Sequence, residues 1–489
     1  MSLRIFNTQT KKKEEFLPLR EGKVGIYVCG ITAYDACHVG HARSAVVFDV
    51  ITRYLRYRGY DVTYVKNFTD IDDKIIDRAR REQKEIAEIS ERYIREHNED
   101  MGALGVAVPT VTPRATEHID GMIRLVAALI EKGLAYGVDG DIYYAVEKFP
   151  GYGKLSGRCL EEMLAGARID VNDKKRNPYD FSLWKASKEG EPWWESPWGR
   201  GRPGWHLECS VMSQRYLGDT FDIHGGGEDL VFPHHENEIA QSEGVSGRPL
   251  ARYWIHNGFV RVNSEKMSKS LGNFFTIRDI LGQYHPEVLR LFMMQSHYRS
   301  PVDFSDAALN EARQGMDRFY STLKTIRDRL AAGVAKADSP EEPGENDQGV
   351  LGQLHHLRER FIEAMDDDFN TARAIGGLFD TIRFLNASIA GKEAALSTAV
   401  LEQTESTLHE IGAVLGLFLA EPNDYLRLDR DREAAKRGLA VAEIEALIAH
   451  RWSAREKKEW QRADEIRKGL AAQGVVIKDT PTATTWTIA

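Results

Sequence analysis

Cysteine is scarce. Four in 489 residues (Cys29, Cys37, Cys159 and Cys209) are too few and too widely spaced for a disulfide scaffold. Free thiols in a reducing compartment fit this usage better, so a cytoplasmic location is expected. No run approaches the ~18 apolar residues that a membrane span needs, and no membrane partner is expected. The N-terminal MSLRIFNTQTKKKEEF lacks the apolar centre of a secretory signal. Positive charge is not in excess, since 65 Lys and Arg stand against 74 Asp and Glu, a net charge of −9. That balance argues against non-specific coating of nucleic acid but leaves room for a local basic face. What is present is ordinary globular composition, 42% hydrophobic and 28% charged. The chain is about three domains long by the rough 150-residue rule.

Strand-like and helix-like runs alternate over the first third. KVGIYVCG (23–30) is β-rich and ends in glycine, SAVVFDVITRYLRYRG is helical and closed by Gly59, and YDVTYVKN (60–67) is strand-like again. Strand, helix, strand at this spacing describes a βαβ unit and a parallel sheet. A long charged helical pattern follows from about residue 70 to 102. From about 110 to 204 short strands with tight turns lead into a stretch rich in Trp, Gly and Pro, the texture of an insertion that splits the sheet. The sheet is expected to resume in DTFDIHGGG and YWIHNGFVRV. Beyond about residue 305 helical periodicity dominates, with an acidic Pro/Gly-rich loop at 335–349 and a second break at EPNDYLRLDRDRE (421–433). A basic helical segment, RWSAREKKEWQRADEIRKGL, and a β-like tail close the chain.

Three groups of residues carry chemistry. His38-Val39-Gly40-His41 puts two imidazoles three apart at the start of a helix, with Gly40 leaving the backbone approachable. A helix N-terminus favours anions, so the segment is a seat for a polyphosphate; a surface histidine pair is the other reading. Lys266-Met267-Ser268-Lys269-Ser270-Leu271-Gly272 has the composition of a mobile loop that closes on phosphates, and equally of a solvated polar loop. The third group is scattered: Cys29 ends the first strand, Cys209 follows the insertion, and His234 and Glu238 lie four apart on one helical face. Two thiolates, an imidazole and a carboxylate suit zinc better than harder ions, whereas isolated cysteines also serve as buried hydrophobes. His235 would face elsewhere on such a helix and is assigned a supporting role.

Taken together, HVGH and KMSKS resemble the HIGH and KMSKS signatures of class I aminoacyl-tRNA synthetases, in the right order and with an insertion between them. Gly30 to Arg43, FTDIDDKII (68–76), GWHLECS (204–210), HGGGEDLVFPHHENEIAQSE (224–243) and MDDDFNTARAI (365–375) resemble cysteinyl-tRNA synthetases in particular. The resemblance implies an α/β fold: a Rossmann-like parallel-sheet catalytic domain with a connective insertion, then a helical bundle and a small mixed C-terminal module. The corresponding boundaries are 1–315 (insertion about 110–204, KMSKS and stem-contact region about 256–315), 316–425 for a helical tRNA-binding domain, and 426–489 for an anticodon-binding module. It further implies a cysteine–tRNA ligase that uses ATP with Mg2+, L-cysteine and tRNA(Cys), holds one Zn2+ per subunit and acts as a monomer.

In that family the metal positions fall on Cys29, Cys209, His234 and Glu238, while Cys37 is no ligand and is read as a small core residue. His38, His41, Lys266 and Lys269 would carry the electrostatic catalysis of adenylation, with Gly40 on the ATP. Asp229 would hold the ribose of ATP, and Asn257 and Gly258, next to His256, would line the adenine side. Three glycines (225–227) would let a ligand approach the backbone. Trp205 and His206 would wall the cysteine pocket. In the tail, Arg455, Lys458, Trp460 and Arg462 combine cations with an aromatic, as stacking on unpaired anticodon bases requires. A solvated charged face is the alternative. Two rival functions share the core: a ligase joining cysteine to an amino sugar in mycothiol synthesis, disfavoured by the basic tail, and an inactive RNA-binding paralogue, disfavoured by the intact signatures.

Overall fold

In the computed structural model, which describes residues 2–158, 174–262, 265–266, 275–332, 344–390, 396–479 and 484–488, the centre is a four-stranded parallel sheet. Its strands are β1 (Lys23–Thr32), β2 (Asp61–Thr69), β3 (Phe221–Gly227) and β4 (Ala251–Asn257), in the order β4-β3-β1-β2. Both faces are covered, as a parallel sheet requires. Val24, Ile26 and Val28 of β1 pack towards helix α1 (Val39–Tyr57), while Tyr27 and Cys29 alternate onto the face covered by helix α2 (Trp205–Leu217). The connections leaving β1 and entering β3 run to opposite sides, so a crevice opens at their C-terminal ends.

The pairing of β1 with β2 slips between Val28 and Ile31. At that irregularity the Gly30 N–H donates to Asn67 Oδ1 at 2.8 Å, and a Cβ on Gly30 would land on the Asn67 carbonyl oxygen. Glycine is therefore required there by close backbone packing. The insertion holds a four-stranded antiparallel sheet (Ala135–Val138, Asp141–Tyr144, Phe181–Ala186 and Gly201–Pro203), preceded by helix Ile119–Glu131.

Several helical expectations are corrected. The charged pattern at 70–102 is two helices, Asp73–Glu82 and Ile86–Ala103, separated at Gln83 in the left-handed region. The stretch 421–433, read as a break, lies almost wholly within helix Pro422–Lys436; its proline sits in the first turn, where the missing N–H costs nothing. The expected boundary at 426 therefore falls inside a helix. The basic segment after Arg451 is also two helices, Val441–Glu456 and Trp460–Ala472, with Lys458 at φ 61° between them. The final hairpin, Val475–Asp479 with Thr484–Ile488, packs with these helices around a small core of Ile444, Leu470, Val475 and Trp486.

One buried cation ties the helical region to the sheet domain. Arg290, on helix Pro286–Met294, contacts Asp49 Oδ2 of α1 at 2.7 Å. It also donates to the Leu415 carbonyl at 2.8 Å, at the end of helix Thr398–Leu415, and to the Leu104 carbonyl at 3.2 Å. Arg290→Met removes one partner of a buried pair and leaves two carbonyls unsatisfied. It should cost about 3 kcal/mol or more in urea unfolding. An unchanged midpoint would mean that this junction contributes nothing.

One buried and one half-buried histidine make stability depend on pH. Burial pushes His97, whose Nδ1 lies 3.2 Å from Cys37 Sγ, from 6.5 to about 3. His285, the N-cap of helix Pro286–Met294, is lowered to about 4. The unfolded chain takes up protons as pH falls through 6.5, whereas these sites refuse them until about 3 to 4. Their contribution is whole above pH 6.5 and is lost as pH falls towards 4. The urea midpoint should therefore drop between pH 7.5 and 5, with a shallower fall in His97→Gln.

Candidate active site and metal centre

Four donors from three separate parts of the chain meet at the mouth of the crevice. Cys29 lies near the end of β1, Cys209 in the second turn of α2, and His234 in a π-helical turn (Val231–His235) that runs into helix α3 (Glu236–Ser246), whose first turn carries Glu238. Cys29 Sγ is 3.6 Å from Cys209 Sγ and 3.5 Å from Glu238 Oε1, and His234 Nε2 is 3.1 Å from the same carboxylate oxygen. A tetrahedral zinc with bonds of about 2.0–2.3 Å sets ligand edges of about 3.3–3.8 Å, so these separations fit one shared ion. Burial pushes both thiols above their usual range, so two thiolates need a cation beside them. His234 Nε2 is buried without a hydrogen bond, although a carboxylate faces it. The donor chemistry fits a soft divalent metal.

His235 departs from the sequence reading. The π-turn directs it inward too, with Nε2 3.3 Å from Cys29 Sγ and 3.9 Å from Glu238 Oε1. Cys29, His224, His235 and Glu238 therefore form a second donor group of similar compactness. His224 Nε2, however, already bonds Glu238 Oε2 at 2.8 Å, which favours the group containing Cys209. His224 was missed from sequence as a partner of the site because it reads there only as the start of a glycine run. Behind His235, a relay continues from Nδ1 to His256 Nε2 and from His256 Nδ1 to Thr8 Oγ1, each at 2.8 Å.

Trp205, 38% exposed, lines the cavity and stacks on His234 with ring centroids 4.1 Å apart. His206 is corrected: expected as a pocket wall, it is not on the lining and instead backs His234, Nδ1 to Nδ1 at 2.9 Å. With His234 Nδ1–H as the donor, this contact leaves His234 Nε2 free to bind a metal.

The cavity, about 460 Å³, runs from Cys29 and Trp205 past His38 and His41 to Asn257 and Gly258. His38 caps α1 by accepting the Gly40 N–H on Nδ1 at 3.1 Å, while His41 Nδ1 accepts the His38 N–H at 3.2 Å. The two rings stack at 3.8 Å. With both Nδ1 atoms accepting, a neutral ring carries its proton on Nε2. Burial lowers His38 to about 4, and burial plus His38 lowers His41 well below its usual value. This wall therefore supplies neutral N–H donors rather than positive charge.

Gly40, Gly227 and Asp229 also line the cavity, Asp229 from the exposed turn Glu228–Leu230. The preceding glycines serve packing rather than a ligand, since a Cβ on Gly225 would strike Phe48 and one on Gly226 would crowd His235. Asn257 Oδ1 is buried without a hydrogen bond on the same wall. Lys266 lies in a short strand, Glu265–Lys266, paired with Val260–Val262, and Lys269 lies outside the described residues.

The anticodon candidates do not share one helix. Arg455 ends the first helix and pairs with Asp479 at 2.7 Å, so its charge is already met. Lys458 occupies the turn, and Trp460 and Arg462 start the second helix, Trp460 being 62% exposed.

Comparison with known proteins agrees with this geometry. Residues 15–314 match the tRNA synthetases class I (C) catalytic domain, 360–420 the DALR domain, and 432–486 the cysteinyl-tRNA ligase anticodon binding domain. The cysteine–tRNA ligase of Geobacter metallireducens is 56% identical over 489 residues, and that of Trichlorobacter lovleyi 55% over 490, each spanning 100% of both chains. Mycobacterium tuberculosis methionyl-tRNA synthetase with methionyl-adenylate superposes with a TM-score of 0.56 at 16% identity, over 86% of this chain and 95% of that one. The LeuRS of Agrobacterium radiobacter K84 gives 0.59 at 13%, over 85% and 86%. Those two likenesses speak for the class I fold alone. By family matches and full-length identity, the chain belongs to the cysteine–tRNA ligases, a branch of the class I aminoacyl-tRNA synthetases.

Proposed function

We propose that the chain activates L-cysteine with ATP and transfers it to tRNA(Cys), with the cavity beneath His38 and His41 as the adenylation site. A cysteine carboxylate oxygen attacks the α-phosphorus of ATP, pyrophosphate leaves, and cysteinyl-adenylate forms. A hydroxyl of the terminal tRNA adenosine then takes the acyl group and AMP departs. The observation that supports this most strongly is the cluster of Cys29, Cys209, His234 and Glu238, which touches, through Cys29, the cavity that the HVGH histidines line.

The residues divide the work. Cys29, Cys209, His234 and Glu238 would hold zinc, one per subunit. When bound, zinc supplies a Lewis-acidic partner for a thiolate, which a serine hydroxyl matches poorly. Trp205 closes the cysteine side against water. His38 and His41 direct Nε2–H donors at the phosphates, where charge grows in the transition state. Lys266 and Lys269 would add positive charge from the signature loop, with Gly40 leaving room for the phosphates. Asp229 would take the ribose, and Asn257, with its unsatisfied Oδ1, and Gly258 the adenine. Mg2+ would accompany ATP.

The three modules would follow the boundaries 1–315, 316–436 and 437–489, the last moved from 426 to the end of helix Pro422–Lys436, with Trp460 and Arg462 as the exposed anticodon contacts and Lys458 in the turn before them. A cytoplasmic monomer completes the reading; among the described residues no helix is long and apolar enough to cross a membrane. The anticodon-domain match over 432–486 is what a cysteine:amino-sugar ligase has no use for. Cysteine-dependent pyrophosphate exchange together with charging of tRNA(Cys) tests the whole reading, and absence of both overturns it.

Two outcomes follow. Cys209→Ser or His234→Ala should lower zinc content and raise the cysteine KM, at a cost on the order of several kcal/mol in kcat/KM. Loss of zinc with unchanged cysteine activation would leave a purely structural metal. Removing residues 437–489 should preserve pyrophosphate exchange, since every residue assigned to adenylation lies earlier. Charging at limiting tRNA(Cys) should fall, and equal charging by both forms would return the tail to a solvated face.

A further inference from the structure

Lys66 lies outside both signature motifs and outside every role assigned above. It sits on β2, next to Asn67, and lines the catalytic cavity together with His38 and His41. Its side chain is half-buried, yet it makes no hydrogen bond or ion pair with any described residue. None of the groups that feel its charge is an anion, although Asp35 and Asp229 line the same cavity. Cys37 is held at about 12 and stays a thiol, His97 at about 3 stays neutral, and His41 is pushed well below its usual value. Asp100, which with Glu96 raises Cys37, is engaged by Arg278 at 2.7 Å. Burial lowers Lys66 itself, with Cys37 the one group pulling the other way.

A half-buried ammonium without a counter-ion is costly, and proteins rarely keep one unless a ligand supplies the missing charge. Among the described residues, Lys66 and Lys74 are the cations on this cavity; Lys74 is exposed at the rim, 5.4 Å from the Tyr34 ring. His38 and His41 contribute donors without charge. The cavity thus presents two neutral N–H donors beside one fixed cation on a rigid strand.

We propose that Lys66 is a substrate-binding residue whose ammonium pairs with the phosphates of ATP beside His38 and His41. This rests on reading the cavity as the adenylation site and adds a positive charge that is in place before any loop closes. A strand-borne lysine needs no ordering step, so its contact with phosphate is preorganised.

The test uses cysteine-dependent pyrophosphate exchange by the zinc-loaded, full-length protein. Lys66→Met keeps the stem and removes the charge. It should raise the ATP KM or lower kcat so that kcat/KM for ATP falls about tenfold or more, as for loss of a charge-assisted contact. The cysteine KM should stay within about twofold, and Lys66→Arg should restore part of the ATP effect. A change confined to the cysteine KM would assign the lysine to the amino-acid carboxylate and overturn the phosphate role. Unchanged constants for both substrates would make Lys66 structural and overturn it as well. A readout on the unaltered protein covers a variant that fails to fold. ATP with Mg2+ should protect Lys66 from amine acylation, read by peptide mass spectrometry, whereas cysteine alone should not; equal labelling with and without ATP overturns the proposal. Failure of exchange in the wild-type protein would instead sink the adenylation reading itself.

Discussion

The catalytic end of this protein depends on bringing two thiols, an imidazole and a carboxylate together in a buried space. Cys29, Cys209 and Glu238 lie within 3.6 Å of one another through the Cys29 sulfur, and His234 closes on the same carboxylate. Left to itself such a cluster is unfavourable, because burial raises both thiols and gathers acceptors with too few donors. A divalent cation reverses that, binding as thiolates groups that would otherwise stay protonated. The cluster also fastens β1, α2 and α3 to one another beside the cavity that Cys29 lines.

Around that point the cavity wall at the HVGH segment is built from neutral histidines. His38 and His41 spend their Nδ1 atoms capping α1, and burial keeps their rings uncharged. Capping thus also sets the tautomer: with both Nδ1 atoms accepting at the start of the helix, a neutral ring keeps its proton on Nε2. Uncharged donors strengthen a contact as charge builds on phosphate without holding the ground state too tightly. On the proposed reading, net charge would come from Lys266 and Lys269 and from Lys66 on β2.

Much of this was legible in the residues. A β-rich run ending in glycine, followed by HVGH and an apolar helix, gave β1 and α1 correctly, and the strand-like runs at YDVTYVKN, DTFDIHGGG and YWIHNGFVRV correspond to β2, β3 and β4. Helix interruptions were misread for physical reasons. Pro422 was taken as a breaker though a first helical turn tolerates it, and the turns at Gln83 and Lys458 carry no glycine or proline to mark them. The π-turn at Val231–His235 broke the assumed spacing of four between His234 and Glu238, and so brought His235 inward as well.

Sequence by itself determined the family, the order of the sheet elements, both signature segments and the identity of the four candidate metal ligands, because short motifs and residue chemistry survive without coordinates. Tertiary structure alone decided what those residues touch. It put His224 on Glu238 and His206 behind His234, gave Gly225 and Gly226 to Phe48 and His235 rather than to a ligand, and spent Arg455 on Asp479. These contacts join residues far apart in the chain, such as Cys29 with Cys209 or Arg290 with Asp49. Local periodicity carries no information about them; only the packing of strands and helices brings them within bonding distance.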